Sequence, residues 1–147
     1  MRISKLGEFG LIERIKKLAR TGPSVVKGIG DDCAVIRSTK DKYLLFNCDM
    51  LIEGVDFKPD ANPCLIGRKS LAVSLSDIAA CAGRPRYCLV SLGVNKNTRV
   101  ERVEAIYKGM LDLAQGWGLS IVGGDISRVG KLTIDVSMLG EVERKNL

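Results

Sequence analysis

Histidine is absent from all 147 residues. That absence removes Ser-His and Cys-His nucleophile pairs, His-ligated metals and the commonest acid-base group at neutral pH. Any chemistry is left to carboxylates, lysine, arginine, hydroxyls, thiols, backbone amides and metals held by oxygen. Aromatic residues are scarce at 5%, so a base-stacking platform for nucleic acid is poorly supplied. The surplus of Lys+Arg 23 over Asp+Glu 17, a net charge of +6, is dispersed along the chain, and a charged nucleotide or phosphate ester satisfies it as well as a polynucleotide. No apolar run approaches the ~20 residues of a membrane span. The opening Met1-Arg2-Ile3-Ser4-Lys5 lacks the apolar core and cleavage site of a signal peptide. The cysteines, Cys33, Cys48, Cys64, Cys81 and Cys88, are odd in number and form no C-x-x-C, so neither a disulfide framework nor a zinc site is indicated. A reduced, cytoplasmic setting is expected. What is present, 46% hydrophobic and 27% charged residues, is the composition of one folded globular domain.

Periodicity organises the chain. Leu11, Ile12, Ile15, Leu18 and Ala19 recur at helical spacing between Gly7 and Ala19, and Thr21-Gly22-Pro23 stops that helix. A glycine-punctuated loop, Val25-Val26-Lys27-Gly28-Ile29-Gly30-Asp31-Asp32, opens onto Cys33–Ile36, which forms a hairpin with Tyr43–Phe46. Asn62-Pro63 starts a helix running to Ala80, small-residue-rich and apolar nearly all round, and therefore buried and closely packed. Tyr87–Val94 reads as a strand. Thr98 and Glu101 make a capping box opening a helix with Val103, Ile106, Met110 and Leu113 on its inner stripe. Leu119–Val122 reads as a short buried strand. Leu132, Ile134, Val136 and Met138 alternate with Thr133, Asp135 and Ser137 in a strand with one wet face. The order predicts an α+β, two-layer domain with a mixed β-sheet covered on one face by two long helices.

The acids fall at informative places. Asp31-Asp32 follows Gly-Ile-Gly, Asp49 follows an apolar strand, and Asp125 follows Gly123-Gly124. Carboxylates at strand ends that share one rim can converge on one cation. Asp77 lies inside a helix with almost no polar face, where burying an unpartnered carboxylate would cost several kcal/mol; a cation would remove that cost. Carboxylates meeting phosphate oxygens is how magnesium is held in phosphoryl-transfer sites. Each acid also has a plainer reading. Asp31 or Asp32, and Asp125, suit turns; Asp49 suits a lysine partner; Asp77 suits an ion pair or a loop cap; Tyr107 beside its helix's inner stripe suits the core.

The segments Leu6-Gly7-Glu8-Phe9-Gly10-Leu11-Ile12, Gly30-Asp31-Asp32-Cys33-Ala34-Val35-Ile36, Asp49–Phe57, Ser70–Ala80 and Gly123-Gly124-Asp125-Ile126-Ser127 resemble, in order, the N-terminal domain of the thiamine-monophosphate kinase family, within the aminoimidazole ribonucleotide synthetase superfamily. That resemblance implies that Asp32, Asp49, Asp77 and Asp125 hold magnesium ions bridging ATP phosphates. It implies that Asn47 and Cys48 approach the metals at least partly through the backbone, and that Tyr107 and Gly124 contact ATP. The implied reaction passes the γ-phosphoryl group of ATP to thiamine monophosphate, giving thiamine diphosphate. The family forms homodimers by joining sheets across a two-fold axis, with no part for nucleic acid or membrane. It also carries a C-terminal domain that this chain lacks, so residues 1–147 are expected to be one N-terminal ATP/Mg-binding and dimerisation domain, inactive alone. One departure concerns the substrate: Asp56 stands where the family commonly has a histidine next to the phosphate acceptor, and an acid there repels an anion. Two other readings remain at this stage: a superfamily enzyme of the selenophosphate synthetase or hydrogenase maturation type, and a non-catalytic nucleotide-binding dimerisation domain.

Overall fold

The strand expected around Lys131–Gly140 is the spine of the molecule. In the computed structural model, which describes residues 2–147 and so leaves Met1 outside the described residues, the elements in chain order are α1 (Ile3–Leu18), β1 (Val25–Lys27), β2 (Ala34–Arg37), β3 (Lys42–Ile52), α2 (Pro63–Ala80), β4 (Arg84–Val94), α3 (Val100–Trp117), β5 (Ser120–Arg128) and β6 (Thr133–Glu143), followed by a 3-10 turn at Arg144–Asn146. They build a six-stranded sheet in the order β1-β2-β3-β6-β4-β5. The last strand in sequence is thus central, and Ile134, Val136 and Met138 are wholly or almost wholly buried while Thr133, Asp135 and Ser137 are only partly so. All neighbours are antiparallel except β4 and β5. The β2–β3 hairpin forms as expected, Ala34 opposite Phe46.

Helices α2 and α3 cover one face. Asn62 accepts the Cys64 N–H at 2.9 Å and Pro63 takes the first helical position, the start its sequence predicts. The two helices meet through glycine: a Cβ on Gly67 would sit 1.9 Å from the Ile106 carbonyl oxygen, and one on Gly109 1.9 Å from that of Cys64. Residues Ile66, Gly67, Ser70, Leu71, Ser74, Leu75 and Ile78 of α2 are buried, while Leu65 is exposed, so this helix has one inner face rather than burial all round.

Four further expectations are corrected. Val25–Lys27, expected in the loop, forms the edge strand β1 against β2. The Thr98–Glu101 capping box does not form, because α3 begins at Val100 with Arg99 as the flanking residue; Glu101 instead pairs with Arg99 at 3.2 Å. Helix α1 starts earlier than expected, bends at Gly7 (φ 72°), and buries none of its residues. Finally, β5 is not a short buried strand. It runs through Gly123-Gly124-Asp125 to Arg128 as an exposed edge. Asp49 and Asp125 therefore lie within strands rather than at strand ends, and the side chains are sorted by sheet face instead of being gathered at a rim. The face opposite the helices is bare. Met50 stands exposed there, and Phe46, Tyr87, Leu89 and Val122 stand exposed around a shallow hollow of about 400 Å³.

Candidate active site

Strand parity decides which side chains of β3 meet helix α2. Tyr43, Leu45 and Leu51 are buried on the helix side, so Asn47 and Asp49 share that side and Cys48 lies opposite. Ser74 and Asp77, one turn apart on α2, face them. The Asn47 amide donates to the Ser74 carbonyl oxygen at 2.9 Å and to the Asp77 carboxylate at 3.2 Å. The Ser74 hydroxyl donates to the Asp49 carboxylate at 2.8 Å. Asp32, at the mouth of the glycine loop, is close enough for its charge to act on both Asp77 and Cys33.

The electrostatics of this seam are unbalanced. The Asp77 carboxyl titrates above its ordinary range, first because burial strips it of water; the charges of Asp49 and Asp32 push the same way, against the Asn47 amide. Among the described residues, no lysine or arginine forms an ion pair with Asp32, Asp49 or Asp77. Asp31 differs from its neighbour: it pairs with Lys27 at 3.2 Å and accepts the Asp32 N–H, so the plainer turn reading holds for Asp31. The Asn47 Oδ1 is buried with no hydrogen-bond partner, an uncommon state for a buried acceptor. A hard, oxygen-seeking cation suits this donor set, three carboxylates and an unpartnered amide oxygen. Among the described residues, no three acidic or cysteine side chains are drawn into a ready-made coordination shell.

The other expected site residues are distributed more widely. Cys48 is exposed on the bare face, its thiol raised above its ordinary range by burial, then by Asp135 and Asp49; only its backbone can serve the α2 seam. Asp56 lies in the turn after β3, where its carboxylate accepts the Ile52 N–H at 2.7 Å and Lys69 binds its carbonyl oxygen. Tyr107 packs against the core with its phenol held protonated by burial and by Cys88. Gly124 pairs with Val90, and a Cβ there would lie 1.8 Å from the Val90 carbonyl oxygen, so sheet packing alone demands glycine. Asp125 pairs with Ser91, on the bare side, where it accepts from Ser127 at 3.2 Å. Three strand spacings, about 14 Å, separate β5 from β3. The seam thus unites Asp32, Asn47, Asp49 and Asp77, and leaves Asp125, Tyr107 and Gly124 apart.

Two residues escape sequence reasoning. Ser74 is fully buried between the two donors of β3, and its only signal is a polar residue on the same face as Asp77 in an apolar helix. Asp135 occupies the bare face in one cross-strand row with Met50, Ser91 and Asp125. Its carboxyl is raised by burial and, against the Ser137 hydrogen bond, by Asp49. Beside the seam, a groove of about 650 Å³ runs between Phe9 and Ile12 of α1 and Ile29, Asp32, Phe46 and Asn47.

Residues 30–142 match the family described as AIR synthase related protein, N-terminal domain. The chain is 39% identical over 144 residues to the thiamine-monophosphate kinase of Aquifex aeolicus, covering 98% of this chain and 45% of that protein. It is 38% identical over 141 residues to the Bacillus subtilis enzyme, covering 95% and 43%. A solved structure of AaThiL complexed with AMPPCP and TMP superposes with a TM-score of 0.91 at 38% identity, over 98% of this chain and 45% of that one. The chain therefore spans a little under half the length of these relatives. On the profile match, which takes in both the glycine-loop acids and the buried helix of Asp77, this chain belongs to the AIR synthase related family, in that family's N-terminal domain.

Proposed function

We propose that this chain supplies the cation- and ATP-phosphate-binding half of a thiamine-monophosphate kinase, which passes the γ-phosphoryl group of ATP to the phosphate of thiamine monophosphate. The observation that carries this reading is the seam itself: Asp32, Asp49 and Asp77, which form no ion pair among the described residues, beside the unpartnered Asn47 Oδ1. The kinases of Aquifex aeolicus and Bacillus subtilis and the complex with AMPPCP and TMP support it. The selenophosphate and hydrogenase-maturation readings and the non-catalytic reading draw no comparable support.

Asp32, Asp49, Asp77 and the Asn47 amide oxygen would hold magnesium, which supplies neutralisation of the phosphate charge when bound. The acceptor is already an anionic phosphate, so no side chain need remove its proton and the lack of histidine is no obstacle. What the residues contribute is alignment: α2 and β3 are rigid elements that hold the carboxylates in place before the phosphates arrive. The groove beside Asp32 offers apolar walls for the organic part of a ligand. Tyr107 and Gly124 are proposed to meet ATP, and Asp125 and the Cys48 backbone to join in holding the metal. The Asp56 carboxylate is held back onto its own turn by the Ile52 N–H.

Residues 1–147 act in this proposal as one ATP/Mg-binding and dimerisation domain. Two chains meet through their bare apolar faces, in the cytoplasm, where the unpaired cysteines stay reduced; among the described residues, no helix is long and apolar enough to cross a membrane. Calorimetric titration of the chain with Mg-AMPPCP tests the site. Binding is expected and should be lost in Asp77→Asn; unchanged binding in that variant would reject the assignment. Transfer of labelled phosphate from ATP to thiamine monophosphate by a protein carrying this chain together with the relatives' second half tests the acceptor.

A further inference from the structure

Two residues of the seam, Asn47 and Asp49, share one contact that sequence patterns do not reveal. Ser74 lies on α2 with no exposed surface. Its carbonyl oxygen accepts the Asn47 amide at 2.9 Å, and its hydroxyl donates to the Asp49 Oδ2 at 2.8 Å, with the Val136 carbonyl oxygen at 3.3 Å as a second acceptor. Ser74 is thus bonded at once to both β3 donors, while the Asn47 amide goes on to Asp77. The neighbouring buried serine is different: the Ser70 hydroxyl donates to Ile66 of its own helix at 2.7 Å.

A serine hydroxyl carries a single proton. Given to Asp49, it restrains the carboxylate and engages its Oδ2, while Oδ1 takes no hydrogen bond among the described residues. A carboxylate held this way offers a cation a single oxygen. Magnesium, small and octahedral at 2.0–2.1 Å, takes carboxylates one oxygen at a time, whereas calcium accepts both oxygens in larger, looser shells. Hydrogen-bond partners that orient a metal-binding group typically govern affinity by 10–100-fold.

We infer that Ser74 is a positioning residue that sets which divalent cation this site takes: by holding Asp49 to a one-oxygen contact it favours magnesium over calcium. The inference rests on the cation-binding reading proposed above. Ser74→Ala releases the Asp49 carboxylate, so magnesium binding weakens roughly tenfold while calcium, free to take both oxygens, loses less or gains.

The test is calorimetric titration of the 147-residue chain with Mg²⁺ alone and with Ca²⁺ alone, in the unsubstituted protein, Ser74→Ala, Ser74→Cys and Ser70→Ala, with circular dichroism to compare folding. The ratio of calcium to magnesium dissociation constants is expected to fall about tenfold in Ser74→Ala, and by less in Ser74→Cys, whose thiol is a weak donor of nearly the same shape. Ser70→Ala should leave the ratio as it was. If Ser74→Ala does not fold, Ser74→Cys decides by the direction of its change. An unchanged ratio at position 74, or an equal change at position 70, overturns the role of Ser74 while cation binding stands. No magnesium response in the unsubstituted chain overturns it together with the reading beneath it.

Discussion

At the scale of single residues, what matters is which charges find partners. Asp31 and Asp32 are adjacent in sequence, yet Lys27 pairs with the first, while among the described residues no ion pair reaches the second. Asp77 shows the cost of such a state. Burial first, then Asp49 and Asp32, raise its folded-state carboxyl above the ordinary value of 3.8. A folded state that holds its proton more tightly than the unfolded chain loses stability as pH rises from the ordinary value through the raised one, and the loss is complete above it. Metal-free Asp77→Asn should therefore melt at a higher temperature than the unsubstituted chain at pH 7, with the difference shrinking below about pH 4 as both forms become neutral. Thermal denaturation followed by circular dichroism between pH 3.5 and pH 8 checks this. A variant that melts lower at neutral pH would mean that Asp77 is structurally compensated. The same experiment with added Mg²⁺ should stabilise the unsubstituted chain and leave the variant unmoved.

At the scale of elements, the site depends on how closely α2 approaches its neighbours. The helix reaches β3 along Asn47 and Asp49, and reaches α3 where Gly67 and Gly109 remove the side chains between backbones. Alanine at either glycine would place a methyl group 1.9 Å from a carbonyl oxygen, so the helices must part. Gly67→Ala and Gly109→Ala should each destabilise the fold by about 3 kcal/mol, read from urea denaturation midpoints at constant slope. A cost near zero would mean that α2 can shift without loss. Much of this layer is legible in sequence. The alternation from Leu132 to Met138, the Asn62-Pro63 start and the α3 stripe at Ile106 and Met110 all hold. The faces of β3 and β5 are not legible. Leu44, Leu45 and Phe46 are apolar on both sides, so no alternation tells Asp49 from Cys48. The side of Asp125 depends on a register shift between Cys88 and Leu89 that no local pattern announces.

For the whole molecule, the sheet is the organising surface, with a helical layer on one side and an apolar face on the other. Phe46, Met50, Tyr87 and Leu89 in one patch form more apolar surface than isolated exposed residues would leave to water. The homodimer proposed above covers it. Leu89→Glu, at the rim of the hollow, should convert a dimer to a monomer in sedimentation velocity while leaving the circular dichroism spectrum unchanged. A monomeric unsubstituted chain would remove the dimer from the proposal without touching the α2–β3 seam, which lies on the other face.

The sequence alone determined most of the elements, the helix-covered sheet and the acids worth watching, because propensity, capping and periodicity act over a few residues and leave local marks. Tertiary structure alone decided which acids lie near one another. Asp32, Asp49 and Asp77 come together, and Asn47 and Ser74 join them, because strand parity and the descent of α2 onto β3 bring their side chains to one seam. Asp125 is carried to another face by the register of a parallel strand. Hydrogen bonds and charges act across space between segments far apart in sequence, and nothing within either segment records the meeting.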